Sequence, residues 1–498
     1  MVNVPYCQTH GHKTALLKVV IARLSHTANQ IVRETNVRKL PSAFVFLALL
    51  LVSACHPTPS QPGSYNPGLT QVSTLSTEKT RPDHTPTAKT SATGSPAVEE
   101  TPLSVGEVTS YFDRNGTLYV TGLVRSYSDQ ALAGIQVSIQ VQDSQGGTID
   151  QATVPLTTNP LTPGERAVFI QDFAQITSAT PVITAHIVAF TQASSEKVEL
   201  NINTNSVLAA GEARLYLTGE VLNTLPVPVY IETISAAFFD QDGNFKTAST
   251  WELGSHYLEP GETGPFRITI DLTNLQIQTT DPYEVYYRAE RGPLIQPAGL
   301  FFQGEPEYFS DSQGNFHLLA YVRNDSDVAL GPVLLATLYD PDGKLVDISS
   351  SNLFGLPLSP GETLPVEFSS WGILNAIRPG LDHNWEYALQ WDPVLTQPIE
   401  SNWTILEVQL ESQTNEAGII SVQGMLSNPG NRSVRGYTIL ARFWDPFDGN
   451  TIALITQRDD GNLPAGQSIP FTLEVKLPEE SGHLDPGIEL IAKGEPID

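Results

Sequence analysis

Residues 134–147 read Gly-Ile-Gln-Val-Ser-Ile-Gln-Val-Gln-Asp-Ser-Gln-Gly-Gly. Ile135, Val137, Ile139 and Val141 alternate with Gln136, Ser138, Gln140 and Gln142. A period of two puts the apolar residues on one face of a strand and the polar ones on the other. Asp143 and the glycines behind it then turn the chain back as a hairpin. A half-buried strand of this kind needs a second layer to cover its apolar face.

The same stretch recurs at a period of about 97 to 105 residues. Its counterparts are Phe238-Phe239-Asp240-Gln241-Asp242-Gly243, Leu338-Tyr339-Asp340-Pro341-Asp342-Gly343 and Phe443-Trp444-Asp445-Pro446-Phe447-Asp448-Gly449. About twenty residues upstream lies a second anchor, an apolar strand. It reads TLYVTGLVRS around Gly122, RLYLTGEVLN around Gly219, FHLLAYVRN around Ala320 and ISVQGMLSN around Gly424. About twenty residues downstream lies a third, a turn entering another strand. It reads LTPGERAVF at Pro163, LEPGETGPF at Pro260, LSPGETLPV at Pro360 and LPAGQSIPF at Pro464. Three anchors in one order, four times over, mark whole β domains rather than the short units of a solenoid.

The expected fold is therefore all-β: a tandem array of four β-sandwich domains. Six or seven strands in about 100 residues fit a Greek-key sandwich that resembles the immunoglobulin architecture, without the Cys–Trp–Cys core of antibody domains. The domains are placed at 104–195, 196–297, 298–400 and 401–498. The hairpin anchor also carries a family resemblance. Leu338-Tyr339-Asp340 matches the Leu-Tyr-Asp end of the FxLYD domains of bacterial surface lipoproteins. Phe238-Phe239-Asp240 and Phe443-Trp444-Asp445 are conservative variants, and Val141-Gln142-Asp143 is a weaker one. The motif's first Phe is replaced by Ile139, Ala236, Ala336 and Ala441. The resemblance implies a surface setting and no enzymatic activity.

The N-terminus reads as an address. Arg38 and Lys39 precede an apolar run from Phe44 to Val52, and Val52-Ser53-Ala54-Cys55 follows. A positive start, a short apolar core and small residues before the cut make a signal peptide, 1–54. The run is too short to span a bilayer as a helix. VSAC resembles the lipobox of bacterial lipoproteins, which implies that Cys55 is lipidated and becomes the new N-terminus. Residues 1–36 read as an extension upstream of a start at Val37. Residues 55–103 are rich in Pro, Ser and Thr and hold few large apolar side chains, so they are expected to be a disordered stalk behind the anchor. The expected location is exported, at the bacterial cell membrane or outer membrane, facing away from the cytoplasm.

Composition narrows the partners. Asp and Glu number 54 against 27 Lys and Arg, for a formal net charge of −27. Such a surface repels phosphate backbones, so no nucleic acid is expected. The partners read from the sequence are the membrane, through the lipid, and an unknown protein or polysaccharide of the envelope. With one cysteine left after the cut, no internal disulfide can form.

No GxSxG, Walker A or GxGxxG string occurs, and the histidines show no metal-ligand spacing, so no enzyme and no cofactor are expected. The acidic turns at Asp240, Asp340 and Asp445 suggest calcium loops, but Gly falls too early and the distal Glu is missing; a structural hairpin is the reading kept. Glu165, Glu262 and Glu362 are expected to be solvated. Trp371, Trp385, Trp391 and Trp403 cluster in the third domain or its end. Exposed, they would form a platform for sugar rings; buried, they are core. If Cys55 carries the lipid, Cys55→Ala moves the protein from the membrane to the soluble fraction, and membrane retention of the variant would refute the anchor.

Overall fold

The computed structural model describes residues 101–498 except 175, 177–179, 195, 209–213, 273–274, 276, 296–298, 352, 354–355, 378–384, 400–402, 479–480, 483 and 498. Side chains of 205–208 are likewise left undescribed. The signal peptide, Cys55, the stalk to residue 100 and His383 lie outside the described residues. Ser95–Asp498 is one compact unit.

The strands fall into four successive sets. The first holds β1 (Leu103–Phe112), β2 (Leu118–Ser126), β3 (Leu132–Gln142), β4 (Thr148–Pro155), β5 (Arg166–Phe173) and β6 (Val182–Gln192). These form two antiparallel sheets, β1-β2-β5 and β4-β3-β6. The second holds β7 (Asn201–Leu208), β8 (Arg214–Leu222), β9 (Val229–Phe239), β10 (Phe245–Gly254), β11 (Tyr257–Leu258), β12 (Thr263–Asp271) and β13 (Tyr283–Arg291). Here β10 pairs with both β9 and β12, which joins the two layers. The third holds β14 (Leu300–Ser310), β15 (Phe316–Asn324), β16 (Leu330–Gly331), β17 (Leu334–Tyr339), β18 (Leu345–Ser351), β19 (Thr363–Phe368), a short helix α1 (Gly372–Ile377), β20 (Glu386–Trp391) and β21 (Gln397–Pro398). The fourth holds β22 (Thr404–Glu416), β23 (Ile419–Ser427), β24 (Val434–Trp444), β25 (Thr451–Leu463), β26 (Ser468–Lys476) and β27 (Gly487–Pro496). There β22 pairs with both β23 and β27.

Two of the three sequence anchors, the second and the third, meet in space. Gly122 pairs with Phe169, Gly219 with Phe266 and Gly424 with Phe471. A Cβ at any of these glycines would overlap the phenyl ring across the ladder. In the third set Ala320 pairs with Val366, so a methyl appears where the ring has shrunk. The pairs conserve volume across the core, as dense packing requires.

At the end of the second anchor, the apolar strand, stands a buried asparagine. Asn324 Nδ2 donates to the carbonyls of Val328 and Leu358, each at 2.8 Å, and its Oδ1 accepts Ser326 N at 2.9 Å. Asn223 and Asn428 make the same bridges. Each amide ties its own loop to the leucine just before the third anchor's turn: Leu258, Leu358 or Leu463. The first set has Ser126 there, and its buried Oγ finds no partner.

The four sandwiches are joined by one repeated contact: the face of a β1-β2-β5-type sheet packs on the β4-type strand of the next set. At the first seam, Ala237, Phe239, Phe245, Ala248 and Tyr286 enter the core of the preceding sandwich. Arg166 Nε lies 2.8 Å from Glu284 Oε2, with its guanidinium 4.6 Å over the Phe239 ring. At the second, Arg267 and Asp347, exposed by 3% and 0%, pair at 2.9 Å. The free oxygen of Asp347 accepts the Ile373 and Leu374 N–H groups at the start of α1, at 2.7 and 3.0 Å. At the third, Phe309 and Leu319 pack on Leu440 and Leu454. Glu307 accepts Thr451 N at 2.8 Å and pairs with Arg442 at 3.3 Å.

Two consequences can be measured. Asp347→Ala takes the buried partner from the Arg267 cation and the acceptor from two helix N–H groups, so it should cost about 3–5 kcal/mol in urea unfolding, whereas replacing Arg267 as well by an apolar residue should recover only the part due to the unpaired cation, because the helix N–H groups still lack an acceptor. His317, stacked on Phe309 at 4.8 Å, supplies a pH dependence. Burial opposes its protonation, but the Glu367 and Asp311 carboxylates outweigh this and raise its pKa above the ordinary 6.5. Its contribution is therefore complete below that value and is lost as pH rises through the raised folded pKa. A stability profile that falls over this window in the native chain and is flat in His317→Gln is the expected result.

Candidate binding cleft and free surfaces

The acidic turns are closed by their own carboxylates. Asp240 Oδ1 accepts the N–H groups of Asp242 and Asn244 at 2.9 and 2.8 Å. Asp340 does the same for Asp342 and Lys344 at 3.0 and 2.9 Å. Asp445 takes Phe447 N at 2.8 Å. The hydrogen bonds from the Asn244 side chain and backbone hold the Asp240 carboxyl below the ordinary range. Gly243, Gly343 and Gly449 sit at φ near +80°, the conformation that closes the hairpin. Among the described residues no group of three or more His, Cys, Asp or Glu is placed to hold a metal.

Of the glutamates after the Pro-Gly pairs, Glu262 is exposed as expected and Glu165 and Glu362 are half-buried, and all three also make a structural bond. Each folds back on its turn. Glu165 accepts Thr162 N at 2.8 Å, Glu262 accepts Glu259 N at 2.7 Å and Glu362 accepts Ser359 N at 2.8 Å. A carboxylate three residues on satisfies an N–H that the turn leaves free, by the logic of a capping box. Glu362 also pairs with Lys493 of the fourth set, which is 1% exposed.

The tryptophans divide. Trp371 is 2% exposed, inside the third core, and its indole N–H donates to Phe368 O at 2.8 Å. It cannot be part of an exposed platform. Trp385, Trp391 and Trp403 are half-buried against the same core. Trp391 lines a cleft of about 380 Å³ where the second and third sets meet. Tyr257, Phe301 and Phe302 share its wall, and Glu259 and Glu262 stand on its rim. Partial burial, outweighing the Glu259 N–H bond, raises the Glu262 carboxyl above its usual range. Asp392, at the cleft's floor, accepts His256 N at 3.0 Å and faces His256 Nδ1 at 2.9 Å. Aromatic faces beside hydrogen-bond acceptors suit a sugar ring or an organic cation. The hydrophobic run hid this cleft from the sequence, because it is assembled from β11, β14 and β20 across a seam.

Two other faces differ from the seams. In the first set the face equivalent to a seam carries Gln136, Ser138, Gln140 and Gln142 with exposed Thr148 and Gln151. The fourth set has a face bearing Ser421, Gln423 and Met425. Neither has the aromatic and ionic fittings of the three seams.

No family model matches the chain, and no curated protein matches it. Among solved structures, Escherichia coli α2-macroglobulin in its native conformation is 12% identical over 79% of this chain, with a TM-score of 0.12. The form activated by porcine elastase is 11% identical over 76%, with a TM-score of 0.12. Salmonella α2-macroglobulin reacted with methylamine is 11% identical over 80%, with a TM-score of 0.10. The chain spans 27%, 41% and 28% of those chains. Scores at this level carry no argument about function.

Proposed function

We propose that this is a non-enzymatic, lipid-anchored protein of the bacterial envelope, whose sandwiches act as one scaffold that binds or spaces envelope components outside the membrane. The observation that carries the reading is the repeated seam. Three junctions, each with shared apolar burial and a buried or half-buried ion pair, hold the sandwiches in fixed relation. A scaffold of that kind positions a surface, and the turns that resemble ligand sites are consumed in holding it together. The VSAC sequence at Cys55 and the FxLYD-like strands support the envelope setting. Among the described residues no helix is long and apolar enough to cross a membrane. A pull-down of solubilised envelope and cell-wall material with the full chain tests the reading. Capture of a defined polysaccharide or protein supports it, and turnover of a captured component would overturn its non-enzymatic part.

A second reading has its own observation, the cleft beside Trp391. In it the protein holds a neutral polysaccharide of the cell wall, with a sugar ring on the Trp391 face and hydroxyls donated to Glu259 and Glu262. Titration with cell-wall oligosaccharides should then shift tryptophan fluorescence. Trp391→Ala should weaken binding about tenfold or more with unchanged circular dichroism, since one aromatic anchor commonly dominates such a site. Equal affinity in the variant would remove the cleft from consideration.

A further inference from the structure

A strand at the edge of a sheet shows a row of unpaired N–H and C=O groups, and proteins guard such strands with charge, proline or brevity. This chain guards nearly all of its long ones. Among the described edge strands of nine residues or more, β1 carries Glu107, β14 carries Glu305, Pro306 and Glu307, and β25 carries Arg458, Asp459 and Asp460. The edge strand β26 carries Pro470, Glu474 and Lys476, and β13 carries Glu284, Arg288, Glu290 and Arg291. The exception is β6, Val-Ile-Thr-Ala-His-Ile-Val-Ala-Phe-Thr-Gln, with no Lys, Arg, Asp, Glu or Pro in eleven residues. It ends the sheet β4-β3-β6, and its ladder partner is β3 alone, with a bulge at Val188 and with β1 of the facing sheet lying close beside it. Val182, Val188 and Phe190 are 48%, 50% and 43% exposed, so β6 shows apolar side chains.

From this we infer that β6 is an association edge, and that its occupant is β6 of a second copy of this chain. Antiparallel pairing of two identical strands about a two-fold axis sets each residue opposite another of the same sequence. Centred on Ile187, it puts Thr184 opposite Phe190 and His186 opposite Val188, with no fixed charge in the ladder. The same operation on β13, centred on Tyr287, would set Glu284 against Glu290, and like charges directly opposite are destabilising. In a chain with net charge −27, a strand free of carboxylates is where two copies approach with least repulsion. The neighbouring Gln136, Ser138 and Gln140 extend this uncharged surface across β3. The pairing would make one continuous six-stranded sheet from two β4-β3-β6 sheets. It does not rest on the reading of the cleft or of the lipid anchor.

Sedimentation velocity of the full chain in detergent, from about 1 to about 100 µM, tests the inference. A monomer–dimer equilibrium that strengthens with salt is expected, because screening removes the repulsion between acidic bodies while the ladder and apolar contacts remain. Thr184→Lys and Val188→Lys, both at exposed positions, should weaken it by about tenfold or more without changing circular dichroism. Hydrogen exchange of the unaltered chain should show protection that grows with concentration in Val182–Gln192 and in no other edge. A monomer throughout the range overturns the inference. So does a dimer that the lysine variants leave intact, or one whose concentration-dependent protection lies elsewhere.

Discussion

A β-strand has two faces, and in three of the four sandwiches one sheet must have both of them covered. In the first set, β3 alternates buried and half-buried residues, as a strand with one wet face should. In the second set, β9 is buried continuously from Ile234 to Phe239. The inner face of β9 fills its own core, and Ala237 and Phe239 fill that of the sandwich before it. Tyr339 of β17 and Trp444 of β24 correspond to Phe239, and Leu335 and Leu440 lie on the same strand face four residues before them. From this demand for a second cover follow the repeated seam and the placement of the cleft.

The seams also solve an electrostatic problem. Carboxylates outnumber cations two to one, so apposed surfaces of neighbouring sandwiches would repel one another. Arg166, Arg267, Arg442 and Lys493 all stand at seams, each facing a carboxylate across the boundary: Glu284, Asp347, Glu307 and Glu362. Where such a pair is removed from water, as Arg267–Asp347 is, it adds little net stability over an apolar contact, but a mismatched partner would strand a charge. They fix which face meets which. The acidic turns then act within a sandwich, where Asp carboxylates close the hairpins on their own backbone.

With the turns and the Pro-Gly-Glu elements absorbed by architecture, the surfaces left for recognition are of two kinds. One is a cleft that exists only because two sandwiches are held at a seam, with Trp391 from one set and Tyr257 from the other. The second is an undefended strand. Both are properties of assembled sheets, and neither contains a local motif.

Read alone, the chain settles its class, its repeat and its core. Period two in β3 requires a sheet with one buried face, whatever the rest of the molecule does, and four copies of three anchors require four such units in order. The tertiary structure alone decided which tryptophan is core. Trp suits a buried or a half-buried place equally, and Trp371 is committed only when α1 and β19 close over it. It also decided that Glu165, Glu262 and Glu362 turn back on their own loops, because a hydrogen bond three residues away depends on backbone angles that composition does not specify. The pairing of Arg267 with Asp347 lies deeper still. The two are far apart along the chain, and only the stacking of one sandwich on another takes water away from both.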